Sequence, residues 1–407
     1  MAHHARVTGV RLGAADVDAF ITGLALLGSG GGGEAQTYRH ALRTALRDTE
    51  IVLHDPADLG DAAVVPVGML GATRMFAEKL PGGQEIIAAL RALTRWTGVE
   101  PAALMPFEAA GLNGALAVAT AAQLGLPLVD ADLMGRALPR VDQFTRAVHG
   151  GAVTPIAMSE PGGQTVLVTS ATAQGLERIA RAFVAQGSGW AGFAMVPAPA
   201  SDALRDCCLG SLGRALRLGR AHRDLPAKPE PELVAAALGG QLLGVGRAAD
   251  ISRLPSTSFG RASITVLGRS AGVGTLGGGT RGGTRGGTRG GTAGGTAGGA
   301  PGGAGPVLRL EAENEYLLVL LDGEPVASCP DLICVLDRRT ATPIAVDSLR
   351  PGDDLIVVVL PGPAWWRATP ERLRHVDPRA FGLGCDAVLL PEPPSAAAPS
   401  TSVELPV

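Results

Sequence analysis

From residue 16 to residue 130 the chain alternates short β-branched runs with amphipathic stretches, and no other feature restricts its fold as much. Asp16 reads as an N-cap for a helix that carries Val17, Phe20, Ile21, Leu24 and Leu27 at helical spacing. Residues 34–47 read as a second helix with Tyr38, Leu42 and Leu46 on one face, and residues 84–96 as a third. The runs at 51–54, 63–69, 103–107 and 128–130 have strand character, and the Ala-rich stretch 113–124 reads as a buried helix between the last two. A helix between successive strands predicts an α/β fold: a layered αβ domain whose sheet is largely buried on both faces.

The 407 residues exceed what one ordinary core can hold, so two domains are expected. After Gly150 the pattern changes. Residues 156–159 and 165–169 predict a hairpin across 160–163, residues 176–185 a helix, and Gly187-Ser188-Gly189 a break. The N-terminal domain is therefore expected over 16–186 and the C-terminal one over 190–390. In the latter, helices at 204–218 and 232–238 precede strands at 241–245, 262–267, 307–311, 316–321 and 355–360, an α+β, strand-rich pattern. The tract 277–305 repeats Gly-Gly-Thr-Arg and Gly-Gly-Thr-Ala with nothing apolar to bury, so it is expected as a flexible inserted loop, and 391–407 as a disordered tail.

Composition removes several function classes. A net charge of −3 lacks the concentrated basic face that nucleic-acid binding requires. No run of eighteen apolar residues is present to span a membrane, and residues 1–11 lack a signal-peptide core. A cytoplasmic protein is expected, with a bacterial cast in its Ala-, Arg- and Gly-rich, aromatic-poor composition. The five cysteines form no C-x-x-C pair, and the histidines no H-E-x-x-H. Ordinary reduced thiols are expected.

Five glycines fall within the six residues 28–33. Gly28, Gly30 and Gly33 satisfy G-x-G-x-x-G, but the run follows a helix instead of a strand, so no nucleotide cofactor is expected. Consecutive glycine amides leading into a helix can still cup an anion; the plainer reading is a helix-to-helix joint. Acidic residues stand where strands end: Glu78 with Lys79 follows 63–69, Glu108 with Asn113 follows 103–107, and Asp130 and Asp132 with Arg136 follow 128–129. Ligands in open αβ sheets bind beyond the carboxyl ends of strands, where grouped carboxylates serve as general acid and base or hold a divalent metal. A lone acid at such a place is more often a cap or a solvated charge.

These residues also carry a family resemblance. The glycine run, Glu78-Lys79-Leu80-Pro81, Gly111-Leu112-Asn113, the segment 125–136 through Asp130 and Asp132 to Arg136, Asn314-Glu315, Pro330-Asp331-Leu332-Ile333 and Pro378-Arg379-Ala380-Phe381-Gly382 occur in that order. Together they resemble the S-methyl thiohydantoin desulfurase family, from about residue 16 to residue 388. The resemblance implies a two-domain αβ enzyme that removes a methylthio group hydrolytically, giving a hydantoin and methanethiol. It carries over Glu78, Glu108, Asp130 and Asp132 as catalytic candidates, with Glu108 or Asp130 favoured as the base. Gly30, Gly31, Gly32, Lys79, Asn113 and Arg136 are the substrate-binding candidates. Metal dependence stays open, and a homo-oligomer is allowed. The alternative is a non-catalytic binding subunit that partners a hydantoinase-type enzyme. The chain departs from the family pattern at Glu313, where Gln is usual, at 107–110, which lacks the usual Ile-Gly pair, and in the 277–305 tract.

Overall fold

The computed structural model describes residues 9–71, 73–79, 81–169, 171–254, 260–268 and 305–391. All of the 277–305 tract but residue 305, and all of the tail but residue 391, lie outside these residues, as do the expectations made for them.

The first sheet is built from β1 (Val10–Leu12), β2 (Ile51–His54), β3 (Ala63–Gly71), β4 (Ala103–Pro106) and β5 (Leu128–Val129). A two-residue strand, β6 (Ala131–Asp132), leaves the sheet; β7 (Ile156–Ser159), β8 (Thr165–Val168) and β9 (Trp190–Met195) complete it. The order is β1-β2-β5-β4-β3-β9-β7-β8. The β2, β5, β4 and β3 strands run parallel, flanked on both sides by antiparallel neighbours. Two small strands follow: β10 (Ala198–Pro199) pairs with β3, and β11 (Cys208–Leu209) pairs with β6. The expected hairpin forms as β7–β8. The first sheet continues past the boundary expected at 186–190, because β9 pairs with both β3 and β7 inside it. Every residue of β9 is buried, as a strand between two neighbours in a covered sheet must be.

The helices of this layer are α1 (Val17–Leu27), α2 (Arg39–Ala45), α3 (Thr73–Glu78), α4 (Glu85–Thr97), α5 (Gly111–Leu124), α6 (Thr145–Val148), α7 (Ala173–Gln186), α8 (Ala200–Asp206), α9 (Ser211–Arg223) and α10 (Pro231–Ala237). The second helix is shorter than its periodicity predicts, with a 3₁₀ turn over Ala35–Tyr38 ahead of it. The helix expected over 204–218 is two helices, because Cys208 and Leu209 extend to pair with β6 and Gly210 turns with a positive φ. Buried on nearly every side, α1 lies against α5 and α9. Two glycines allow its backbone to meet that of α9: a Cβ on Gly23 would stand 1.7 Å from the Ala215 carbonyl oxygen, and one on Gly219 would stand 1.6 Å from that of Ala19.

The second sheet is antiparallel throughout. Its strands are β12 (Gln241–Leu254), β13 (Arg261–Gly268), β14 (Val307–Glu313), β15 (Glu315–Leu321), β16 (Glu324–Ser328), β17 (Leu332–Asp337) and β18 (Asp354–Leu360), in the order β16-β15-β14-β13-β12-β18-β17, curled into a half-barrel. The β17 and β18 strands are apolar on both faces. Leu332, Cys334, Leu336, Ile356, Val358 and Leu360 join the core of α1 and α9, whereas Ile333, Val335, Val357 and Val359 fill the half-barrel. These two strands form the wall between the layers, and the end of α1 abuts it.

Candidate functional site

At that wall the chain leaves α1 through the glycine run. Ser29 takes a positive φ of 47°. Its hydroxyl donates to the Ile333 carbonyl (2.9 Å) and accepts from the Ile333 amide (3.0 Å), while its own carbonyl accepts from the Tyr316 amide (2.8 Å). The Gly30 carbonyl accepts from the Val346 amide and the Gly32 carbonyl from the Leu112 amide at the start of α5. The loop therefore joins the half-barrel to the first layer. Two of its positions require glycine for different reasons. Gly32 has φ +73°, and a Cβ on Gly31 would stand 2.2 Å from Glu315 Oε1.

Two carboxyl groups lie under this loop. Glu108 follows β4, at the carboxyl end of the parallel strands, and is 6% exposed; Glu315 opens β15 and is 4% exposed. Asn314, with φ +58°, makes the tight turn before Glu315 and is fixed by mutual hydrogen bonds with the Gly260 backbone. A Cβ on Gly32 would reach to 3.0 Å from Glu108 Oε1, so adjacent glycines contact the two acids. Glu108 Oε1 and Glu315 Oε2 are buried without a hydrogen-bond partner among the described residues. A buried polar atom left unpaired is costly, and such atoms recur at sites that bind or react.

Electrostatics separates the pair. Burial drives the Glu108 carboxyl well above the ordinary range; Glu315 and Asp132 push the same way, while Arg136 and a hydrogen bond from Asn113 oppose them. Burial also raises Glu315, to about 8, against the pull of Arg136 and of the Gly32 amide that donates to it. The group that the glycine loop cups is thus the protein's own Glu315 carboxyl. Arg136 is fully buried. Its guanidinium donates to the carbonyls of Ala137 (2.9 Å), Asp331 (2.7 Å) and Tyr316 (3.1 Å). Carbonyls orient a cation without neutralising it, so its charge still acts on both acids. Asn113 sits in the first turn of α5; its Oδ1 accepts from the Met69 amide (2.6 Å) and its side chain holds Glu108.

The other expected residues fall outside the pair. Asp132 accepts from the amides of Ala109 (2.6 Å) and Gly135 (2.7 Å) and from Ser211 Oγ (3.0 Å). It fixes the two turns that carry Glu108 and Arg136, and burial lifts its carboxyl to about 7 despite these bonds. Asp130 lies apart from the pair: its Oδ1 accepts from the amides of Leu212 (2.8 Å) and Gly213 (3.0 Å), anchoring the start of α9. Glu78 and Lys79 are exposed, and Lys79 Nζ donates to the Ser188 carbonyl away from the loop. Of the expected constellation, Glu108, Asp132, Asn113, Arg136 and Gly30–Gly32 come together, and Glu78, Lys79 and Asp130 do not. Glu315 was missed as a site residue, although Asn314-Glu315 carries part of the resemblance; an acid at the start of a strand in the other half of the chain gives no local signal.

Among the described residues no group of three or more His, Cys, Asp or Glu is placed to hold a metal ion. Cys329 and Cys334 lie near Arg136, yet burial keeps both thiols at about 12, so neither is a ready nucleophile. A surface cavity of about 400 Å³ lies elsewhere, between residues 142–154, the start of α7 and His375. A second, of about 300 Å³, opens on the half-barrel and reaches Glu313, across the turn from Glu315. Among the described residues no helix is long and apolar enough to cross a membrane.

Two family models cover almost all of this architecture. The S-Me-THD-like N-terminal domain matches residues 15–170 and the S-Me-THD-like C-terminal domain residues 171–390. The chain is also similar to a crystal structure of a protein from Chromobacterium violaceum, at 21% identity and a TM-score of 0.70 over 92% of this chain and 98% of that one. That likeness bears on the fold alone. No curated protein matches the chain.

Proposed function

We propose that this chain, which belongs to the S-Me-THD-like family, is a hydrolase that converts an S-methyl thiohydantoin and water into a hydantoin and methanethiol, with Glu315 and Glu108 as its acid–base pair. The observation that carries this reading is the pair of buried carboxyls under one glycine loop, each with an oxygen that no group among the described residues satisfies. Their environments differ, and that difference assigns the roles. Glu315, with Arg136 and the Gly32 amide on its side, is the more easily ionised. Glu108, driven higher, keeps its proton.

The reaction needs two proton transfers in each direction, and two carboxyls suffice. As the oxygen of water bonds to the ring carbon that bears sulfur, the Glu315 carboxylate takes its proton and Glu108 gives its own to the ring nitrogen of the C=N bond. The resulting carbon carries hydroxyl and methylthio groups. When the C–S bond breaks, Glu315 returns its proton to the departing sulfur as methanethiol leaves. Glu108, now a carboxylate, takes the hydroxyl proton as the carbonyl forms. Both groups end as they began. Asp132 and Asn113 hold Glu108 in place, and Arg136 keeps Glu315 ionisable although it is buried.

The test is incubation of the pure protein with an S-methyl thiohydantoin and measurement of released methanethiol. Glu108→Gln and Glu315→Gln should each lower the rate by roughly 10²–10⁴-fold. Wild-type turnover in both folded variants would refute the assignment, and tight hydantoin binding with no turnover in wild type would favour a binding subunit.

A further inference from the structure

The cavity on the half-barrel ends at the residue facing Glu315. Its floor is the β12–β15 face that carries Leu254, Arg261 and Glu313, which stand in register across three strands: Leu254 opposite Arg261, and Arg261 opposite Glu313. Glu313 is in turn the cross-strand partner of Glu315, and its charge acts on that carboxyl. Directly opposed side chains in an antiparallel pair approach to ~5 Å, so the groove and the acid pair are neighbours. The charged groups of the groove are consumed among themselves. Arg261 Nε donates to Glu313 (2.9 Å) and its Nη2 to the Phe381 carbonyl (3.1 Å), while Arg309 pairs with Glu311. With the ions paired, the rest of the lining is chiefly apolar, Leu254, Leu317, Phe381 and Leu383 within it, beside the hydroxyls of Ser252 and Ser263, the latter donating to Glu311 (3.0 Å). Leu254, at the end of β12, is 63% exposed and presents its side chain at the edge of the groove.

From this geometry we infer that the groove is the subsite for the ring substituent of the substrate, and that the substituent it takes is uncharged and apolar, a branched aliphatic or aromatic group. This rests on the reaction proposed above, because a ring held between Glu108 and Glu315 has its substituent carried past Glu313 into the groove. The Arg261–Glu313 pair then stands where the groove meets the acid pair, and Arg261 also holds Phe381 as the far wall.

The test compares S-methyl thiohydantoins unsubstituted at the ring carbon with those bearing isobutyl, benzyl or carboxyethyl groups. Wild type should favour isobutyl and benzyl over unsubstituted and carboxyethyl substrates by roughly tenfold or more in kcat/KM. Ser263→Trp, which adds a ring within the groove, should lower that selectivity ratio roughly tenfold. Leu254→Glu, at a solvated position that cannot threaten folding, should lower it in the same sense. Turnover with no dependence on the substituent would overturn the groove while leaving the reaction standing. Calorimetry with the hydantoin products distinguishes the opposite case. Tighter binding of the isobutyl hydantoin than of the unsubstituted one, lost in Ser263→Trp, supports the groove even where no methanethiol is released. Equal affinities overturn it.

Discussion

Replacing Glu315 by glutamine should make the protein more stable above neutral pH, and the size of the gain follows from the site. In the unfolded chain the Glu315 carboxyl ionises near its ordinary 4.5, but in the folded protein it does so at about 8. Its folded pKa is raised, so the folded state binds the extra proton, and Glu315's contribution to stability is fully present below 4.5 and lost as pH rises to about 8. Each pH unit in that interval removes ~1.4 kcal/mol, so the wild type forgoes roughly 3 kcal/mol at pH 7 and about 5 kcal/mol above pH 8 relative to pH 4.5. Glutamine keeps the shape, still accepts from the Gly32 amide and does not ionise. Urea denaturation read by the buried Trp190 and Trp366, at pH 5, 6, 7, 8 and 9, measures the difference between the two proteins. At pH 5 they should nearly coincide. The variant's advantage should then widen steadily to pH 8 and level off. Curves that stay parallel from pH 5 to 9 would mean that Glu315 is not held neutral by burial, and the acid–base reasoning would lose its basis.

The pH dependence of methanethiol release should carry the same signature, rising through about 8 as Glu315 ionises and falling only where Glu108 loses its proton; Glu315→Gln should abolish the rising limb. Gly31→Ala places a Cβ 2.2 Å from Glu315 Oε1 and must displace the carboxyl, so turnover should fall roughly 10²-fold even where the protein folds. Asp130→Ala removes the acceptor for the Leu212 and Gly213 amides; it should lower stability by about 0.5–2 kcal/mol and leave turnover near wild type, checked by melting and by the thiol assay. Gly219→Ala drives a methyl into the Ala19 carbonyl between α1 and α9, and thermal unfolding should report a loss of about 1–3 kcal/mol.

Local patterns determined much of this protein. Helical spacing in Val17, Phe20, Ile21, Leu24 and Leu27 marked α1, the β-branched runs marked β2 and β3, and the ordered motifs identified the family, because each of these signals lies within a few adjacent residues. The glycine run announced itself too, although its task did not. Only the tertiary structure brought Glu315 from the half-barrel to Glu108 beneath that run, returned Asp130 to the start of α9, and left Glu78 in solvent. Burial separates these carboxylates, and burial is a property of the whole packed chain. Trp190–Met195 makes the same point for the fold: a short apolar strand does not state which sheet it enters, and β3 and β7, which flank it on either side, decided that.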